Sequence, residues 1–123
     1  MSGNSLLIDT NIALYLLDGD TDLVEILDGQ DVYISIVSEL ELLGYQGISE
    51  AEKLKVKAFL DNCIIIELNQ TIKDLTIELK QAHRIKLPDA IIAATSKYLN
   101  IPLISADRGF ERIDDLQFIR YEV

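Results

Sequence analysis

Short apolar runs alternate with longer segments of helical periodicity along the chain. The short runs are Leu6–Ile8, VYIS, CIIIEL, PLIS and LQFIRYEV, whose length and apolar content predict strands. Between them, segments such as QTIKDLTIELKQAHR carry apolar residues three and four positions apart, the spacing of an amphipathic helix. Strands that alternate with helices predict an α/β fold, with a mostly parallel central sheet of four to five strands flanked by helices on both faces.

Polar residues mark where several helices are expected to begin. Thr21 or Asp22 is predicted to cap the second helix. Ser38 stands three residues before Glu41, which is the spacing of a capping box, so the third helix is predicted to start there. Pro88 suits the first turn of a later helix, because its missing N–H falls where no partner is needed.

Length and charge limit the kinds of function that are open. The 123 residues suit one domain, here taken as 1–123. Eleven basic and 21 acidic residues give a net charge of −10, whereas a protein that holds nucleic acid by bulk attraction should be basic. A general nucleic-acid-binding protein is therefore disfavoured. An enzyme that meets phosphates through divalent metal ions stays open, because such ions can invert the local field.

The compartment is expected to be the cytoplasm. No apolar run reaches the roughly 20 residues that a membrane-spanning helix needs, so no membrane partner is predicted. The lone Cys63 cannot form an internal disulfide, and it is interpreted as a small buried hydrophobic residue in a reducing cytosol.

Four carboxylates stand where predicted strands end or predicted helices begin. Asp9 follows the first strand and Asp107 follows the fourth, while Glu41 and Asp89 lie in first helical turns. Ligands of α/β folds bind beyond the carboxyl ends of the strands. Helix capping alone explains any one of the four, because acidic residues favour first turns. Together they suit a hard divalent cation such as Mg²⁺, which takes oxygen ligands from separate elements.

Four sequence blocks carry a family resemblance. LLIDTNI, ISIVSELELLG, LPDAIIAATS and LISADRGF, in this order, resemble the signature blocks of the PIN-domain family, and more narrowly of the small VapC-type ribonuclease toxins. The resemblance implies that Asp9, Glu41, Asp89 and Asp107 bind Mg²⁺ or Mn²⁺ and that the protein cleaves RNA phosphodiester bonds. It also implies a cognate antitoxin that holds the toxin inactive, and a homodimer whose paired sites bracket a groove.

The assignment of Glu41 has a rival in Glu39. Residues two apart on a helix point about 200° from each other, so only one of them can face the site. Both glutamates flank the expected core stripe, which includes Leu40 and Leu43. The hydrophobic pattern therefore does not indicate which glutamate faces the site. In the family block a Ser precedes the ligand glutamate by six residues, which matches Ser35 and Glu41. On that resemblance Glu41 is the preferred ligand. If Glu41 only completes a capping box, Glu39 is the alternative.

Supporting residues are proposed around the four carboxylates. Thr10 and Asn11 could hydrogen-bond to ligand carboxylates, or simply cap the first helix. Ser105 matches a family position that contacts metal-bound water or phosphate, and a hydroxyl satisfied at a strand end is the alternative. Arg84 and Arg108 are candidates for phosphate contacts, with solvated salt bridges as the other explanation.

Three further residues near the motifs are assigned mainly structural roles. Lys86 could also contact phosphates, but solvated salt bridges are the favoured explanation for it. His83 is expected to be a partly buried polar residue rather than a general base. Phe110 is assigned to the core or to an interface rather than to base stacking.

Two alternative functions come from other classes. A catalytically silent PIN-like interaction module is one of them, and the intact set of four acids argues against it. A phosphoacceptor receiver domain is the other, since it is also acidic and α/β. Such a domain needs a second acid near the first strand and an Asp after the third, but the chain offers only Asp9 in the first place, and Glu67 and Asn69 in the second.

Overall fold

The computed structural model describes residues 4–122 and contains the predicted alternation of strands and helices. The strands are β1 (Ser5–Ile8), β2 (Asp31–Ser35), β3 (Ile64–Ile66), β4 (Leu103–Ser105) and β5 (Phe118–Arg120). The helices are α1 (Thr10–Leu17), α2 (Thr21–Leu27), α3 (Ile36–Gly44), α4 (Glu50–Leu60), α5 (Gln70–Ala82) and α6 (Leu87–Leu99). A 3₁₀ helix, Arg108–Arg112, separates β4 from β5.

The five strands form one sheet in the order β3-β2-β1-β4-β5, and every pair is parallel. β1 is central, with Leu7 opposite Tyr33 of β2 on one side and opposite Leu103 of β4 on the other. Because β1 and β4 are parallel neighbours, the residues that follow them meet at one edge of the sheet. The order also differs from the 2-1-3-4-5 order of flavodoxin-like folds such as CheY, the receiver-domain architecture.

Helices cover both faces of the sheet. Leu6 and Ile8 of β1 pack with residues of α1 to α4, whereas Leu7 points to the opposite face and packs with α5 and α6. This alternation follows from the two-residue period of a strand that is buried on both sides. The predicted fold class is therefore confirmed.

The start of α3 differs from the predicted one. The helix begins at Ile36, and its cap is Ser35, whose Oγ accepts a hydrogen bond from the Val37 N–H at 3.1 Å. Ser38 lies inside the helix and is fully buried, so the predicted capping box with Glu41 is wrong. Ser35 is also the last residue of β2, with an extended backbone, and the strand runs into the helix without a loop.

The predicted core stripe of α3 is wrong at Leu40. That side chain is 64% exposed, and Leu42 is the buried leucine of the helix, with Leu43 partly buried beside it. Sequence periodicity could not fix the phase of so short a helix, because leucine occupies three of four consecutive positions from 40 to 43.

Two other predicted boundaries are displaced. α2 is capped by Asp20, whose Oδ1 accepts from the Leu23 N–H at 3.0 Å, and neither Thr21 nor Asp22 is the cap. The predicted final strand, 116–123, is limited to β5, and Val123 lies outside the described residues. Pro88 lies in the first turn of α6, as predicted.

Within residues 4–122, no helix combines the length and apolar character that crossing a membrane requires. Cys63 is half-buried, and burial raises the pKa of its thiol to about 11. The thiolate is therefore scarce at neutral pH, which fits an unreactive packing role.

Candidate active site

The predicted carboxylates line one cavity of about 180 Å³ at the carboxyl edge of the sheet. Asp9 follows β1, Glu41 lies on α3, Asp89 lies in the first turn of α6, and Asp107 follows β4. The remaining lining residues are Thr10, Asn11 and Ile92. Residues that are separated by up to 98 positions in the sequence therefore share one polar cavity.

Asp9 is held on both carboxylate oxygens. Its Oδ1 accepts from the Ile12 N–H at 2.9 Å and so caps α1, while its Oδ2 accepts from the Ser105 hydroxyl. The residue is only 5% exposed. Burial raises the pKa of Asp9 above its ordinary value, and the nearby Asp107 charge adds to the increase, against the lowering effect of these two hydrogen bonds.

Ser105 connects two of the carboxylate-bearing segments. It is fully buried at the end of β4, and its hydroxyl donates to Asp9 while its Oγ accepts from the Asp107 N–H at 3.0 Å. The hydroxyl is thus satisfied at a strand end and also orients a site carboxylate. This matches the strand-end explanation offered by the sequence, whereas the contact with metal-bound water or phosphate stays a prediction.

Asp107 begins the 3₁₀ helix. Its Oδ1 accepts from the Gly109 N–H at 2.8 Å, which fixes one carboxylate oxygen and leaves the side chain exposed to the cavity. Gly109 has little room for a side chain, because a Cβ atom there would lie 3.1 Å from that same Oδ1.

Asp89 takes part in none of the side-chain hydrogen bonds found within residues 4–122, in contrast to the other three carboxylates. Burial raises its pKa, followed by the charges of Asp107, Asp9 and Glu41, while Lys86 lowers it. The cavity therefore concentrates negative potential at Asp89.

Of the two rival glutamates, Glu41 lines the cavity and Glu39 does not. The Thr10 hydroxyl donates to Glu41 Oε1 at 2.6 Å, and the same Oγ1 lies 2.8 Å from the Ser38 Oγ. The buried Ser38 thus contacts the neighbouring helix α1 rather than capping its own. Asn11 also lines the cavity, where its side chain is exposed.

The donor chemistry of the cavity fits a hard divalent cation, since all four acidic side chains offer oxygen. Among residues 4–122, no three His, Cys, Asp or Glu side chains are arranged so that they already form a metal-binding group. Asp9, Glu41 and Asp107 each accept a hydrogen bond from a different donor, and the negatively charged carboxylates repel one another. Small side-chain movements would be needed to bring the oxygens around an ion.

A second cavity adjoins the first. It has a volume of about 220 Å³, shares Asp89 and Asp107 with the first cavity, and is also lined by Arg84, Lys86 and Arg112. Arg84 is therefore beside the carboxylates, as the sequence suggested, whereas Arg108 lines neither cavity.

Sequence reasoning missed Arg112. Its signal was its position five residues after Asp107, in the segment DRGFER, which folds back as a 3₁₀ helix. The ion pairs found within residues 4–122 are Lys53–Glu50 and Arg120–Glu122. The salt bridge expected for Lys86 is not among them.

Comparison with known proteins identifies the family. The model of the PIN domain family matches residues 6–116. The chain belongs to the PIN domain family. Members of this family are nucleases that generally use divalent metals, which places the protein among the nuclease-type hydrolases and excludes the receiver-domain alternative. No curated protein matches the chain in a sequence search.

Chains in solved structures of toxin–antitoxin complexes resemble this chain over nearly its whole length. It matches a chain of a toxin–antitoxin complex from Klebsiella pneumoniae with 28% identity and a TM-score of 0.82, covering 96% of this chain and 99% of that one. VapBC-1 from nontypeable Haemophilus influenzae gives 25% identity, a TM-score of 0.77, and coverage of 94% and 97%. The predicted resemblance to VapC-type PIN domains is confirmed.

At 23% identity, VapBC2 from Rickettsia felis, bound to a DNA fragment from its promoter, shows likeness of fold alone. Its TM-score is 0.79, with coverage of 96% of this chain and 99% of that one.

Proposed function

We propose that this PIN-domain protein is a divalent-metal-dependent endoribonuclease that hydrolyses RNA phosphodiester bonds and acts as the toxin of a toxin–antitoxin pair. The observation that carries the proposal is a single cavity lined by carboxylates from four separate elements, Asp9, Glu41, Asp89 and Asp107. The nuclease family and the similarity to chains of toxin–antitoxin complexes support it.

The four carboxylates would hold Mg²⁺ or Mn²⁺. A divalent ion bound there lowers the pKa of water and stabilises negative charge at a phosphate. Ser105 keeps Asp9 oriented through the hydroxyl hydrogen bond, and Thr10 does the same for Glu41. Such hydrogen bonds to ligand carboxylates fix their orientation and raise metal affinity. Asn11, whose exposed side chain lines the same cavity, would hydrogen-bond to a ligand carboxylate.

The partner is proposed to be an antitoxin that inserts an Arg or Lys side chain into the carboxylate cavity. A basic side chain would satisfy Asp89, which the neighbouring carboxylates repel, and would compete with the metal. Replacing that antitoxin residue by Gln should restore RNA cleavage by the complex. Inhibition that persists after every basic residue near the site has been replaced would contradict this mode of inhibition.

The protein is also expected to be cytoplasmic and to form a homodimer whose two sites face one groove, as the family resemblance implies. Light scattering of the purified protein tests the dimer. A mass that corresponds to one 13.8 kDa chain at micromolar concentration would contradict it.

The decisive experiment measures cleavage of RNA by the purified protein with Mg²⁺ or Mn²⁺. Cleavage should disappear with a chelator and with Asp9→Asn. Asp31→Asn is the matched control, because Asp31 is exposed and lies at the opposite, amino-terminal edge of the sheet. Cleavage that survives both the chelator and Asp9→Asn would contradict the proposed site. A protein that cleaves no RNA but still binds its antitoxin would support a silent interaction module instead.

A further inference from the structure

The cavity beside the carboxylates combines cationic side chains with an apolar floor. Arg84, Lys86 and Arg112 line it. Ile85, Phe110 and Ile113 also line it, and the last two are only 2% and 5% exposed. A concave site with an apolar surface and a few charged groups is the usual form of a small-ligand site. A nucleotide has matching chemistry, since its base and sugar offer less polar surfaces and its phosphate is anionic.

The three cations are unusual in a protein of this charge. The chain has 11 basic residues against 21 acidic ones, and three of the basic residues line this one cavity. None of the three takes part in an ion pair within residues 4–122. No direct ion pair therefore occupies these cations, although Asp89 and Asp107 line the same cavity and the Lys86 charge lowers the pKa of Asp89.

The backbone that carries two of these cations is fixed in place. The Lys80 Nζ donates to the Ile85 carbonyl at 2.8 Å, which ties the end of α5 to the segment that follows it. The His83 N–H donates to the Leu79 carbonyl at 2.9 Å. The Lys86 carbonyl accepts from the Ala90 N–H at 2.9 Å, in the first turn of α6. Arg84 and Lys86 therefore extend from a short connection that is held at both ends.

We propose that this cavity binds the nucleotide next to the scissile phosphate, with its backbone phosphate at Arg84, Lys86 and Arg112. The inference rests on the proposed function and adds a position and a direction for the RNA chain. Asp89 and Asp107 line both cavities, so the two cavities are adjacent and neighbouring nucleotides of one strand would occupy them. The cations offset the repulsion that these carboxylates exert on the RNA.

An acidic peptide is the competing ligand for the cations. Such a peptide would contact the three cations, but it would not extend into the first cavity, because the carboxylates there would repel it. A phosphodiester chain has regularly spaced phosphates and can occupy both cavities at once when metal is bound. The adjacency of the two cavities, which share Asp89 and Asp107, therefore favours RNA.

The test measures binding of a short, labelled, single-stranded RNA of random sequence in the Asp9→Asn background, at several salt concentrations. Arg84→Gln and Arg112→Gln should each raise the Kd about three- to tenfold and reduce the slope of log Kd against log salt by roughly 0.7, the value for one phosphate contact to a single strand. Arg112→Lys should recover most of the affinity, because a phosphate contact needs mainly charge.

The matched control is Lys73→Gln, which removes one charge at the far end of α5. Lys73 lies near the start of this 13-residue helix, which is about 20 Å long, and Arg84 follows its end. The control should leave both Kd and salt slope close to the parent values. In the active protein, Arg84→Gln should raise KM and leave kcat nearly unchanged.

The outcomes separate this inference from the proposed function. If the wild type cleaves RNA but the arginine variants behave like Lys73→Gln, the inference is overturned and the nuclease proposal stands. If the wild type does not cleave, yet RNA binding weakens selectively in the arginine variants, the cavity is an RNA site and the nuclease proposal fails. If these substitutions weaken only antitoxin binding, the cavity belongs to the protein partner and the inference is wrong.

Discussion

Asp9 caps a helix and also contributes a carboxylate to the candidate metal site. An Asp and an Asn cap a helix about equally well, so capping alone does not require a charge at this position. The raised pKa of Asp9 indicates that burial makes the ionised form less favourable in the folded protein than in the unfolded chain. The charge is therefore tolerated at a cost in stability, which a bound cation would offset.

Asp9→Asn should consequently stabilise the metal-free protein at neutral pH, because it removes a buried carboxylate whose ionised form is disfavoured in the folded protein. The folded-state pKa is raised, so the ionised group destabilises the fold above that pKa, and the difference from Asn shrinks as the pH falls through it toward the ordinary value of 3.8. Urea unfolding with chelator present, at several pH values, measures this.

Asp20→Asn is the control with the opposite sign. Asp20 caps α2, but hydrogen bonds from the Leu23 N–H and the Tyr121 hydroxyl lower its pKa. Its ionised form is therefore stabilising at neutral pH, and this stabilisation is lost as the pH falls below the ordinary value of 3.8. An Asp9→Asn variant that is less stable than wild type at neutral pH would show that the buried charge is not destabilising.

Ser105→Ala should weaken binding of Mn²⁺ roughly 10- to 100-fold, because the hydroxyl orients Asp9 without itself being one of the four carboxylates. Calorimetric titration with Mn²⁺ measures this. Ser96→Ala is matched, since Ser96 is also buried and its hydroxyl donates to the Ile101 carbonyl, away from the site. Equal Mn²⁺ affinity in the two variants would mean that Ser105 only satisfies a strand end.

At the scale of elements, the helix α3 determines which glutamate reaches the cavity. β2 ends at Ser35 and the helix begins at Ile36, so the orientation of the first turn is set by the sheet. Ser38 then contacts Thr10 of α1, and Glu41, one turn further along α3, accepts from the same hydroxyl. The two helices are thereby linked through Thr10.

Glu41→Gln should lower RNA cleavage by roughly tenfold or more, the equivalent of ~1.4 kcal/mol or more of transition-state stabilisation. Glu39→Gln, the matched change on the same helix, should leave cleavage within about twofold of wild type, because Glu39 does not line the cavity. Steady-state cleavage of one RNA by both variants shows which of the two glutamates contributes to cleavage. A larger loss in Glu39→Gln would reverse the assignment.

The 3₁₀ helix positions Asp107, and Gly109 is the residue that allows it. A Cβ atom at Gly109 would approach the Asp107 Oδ1 to 3.1 Å, so Gly109→Ala should displace this carboxylate by a few tenths of an ångström. Cleavage should fall several-fold, since misplacement by about 1 Å can cost on the order of 10²-fold.

Gly44→Ala is the control for this change, because nothing lies within 4 Å of a Cβ atom at Gly44, at the end of α3. It should leave cleavage unaltered. Wild-type cleavage by Gly109→Ala would show that the site does not depend on the position of Asp107.

Elements that are defined by local chemistry could be predicted from the sequence, and the others could not. Ser49 caps α4, and its capping box with Glu52 is a local signal that is complete within four residues. Ser38 has the same spacing to Glu41, but β2 continues into α3 and places the start earlier. The contact between Thr10 and Glu41 depends on the packing of α1 against α3, which no local pattern encodes.

The whole molecule explains why four distant acids meet. Asp9 and Asp107 follow β1 and β4, which are neighbours only because the chain crosses over to give the strand order β3-β2-β1-β4-β5. The family blocks predict these four acids from the sequence, because the blocks retain the order and spacing of the fold, and in the structure the four acids line one cavity. The cations of the adjoining cavity come from segments with no such block, and Arg112 was missed for that reason.

Because the carboxylates belong to four elements, an ion that they bind should stabilise the whole fold. Saturation with Mn²⁺ at about a hundredfold above its Kd adds ~2.7 kcal/mol to the free energy of unfolding. For a domain of this size, this raises the Tm by roughly 10 °C, and a chelator should reverse the increase. Differential scanning fluorimetry measures the shift.

Asp9→Asn/Asp89→Asn is the variant that makes this measurement specific. This double variant lacks two of the four carboxylates but keeps most of the net charge of −10. Mn²⁺ that binds loosely to the acidic surface should therefore raise its Tm as much as it raises the Tm of the wild type. The site-dependent part of the Tm increase should be absent from the double variant. An equal Tm increase in both proteins would mean that Mn²⁺ acts through the general acidic surface, and the four-carboxylate cavity would lose its assignment as the metal site.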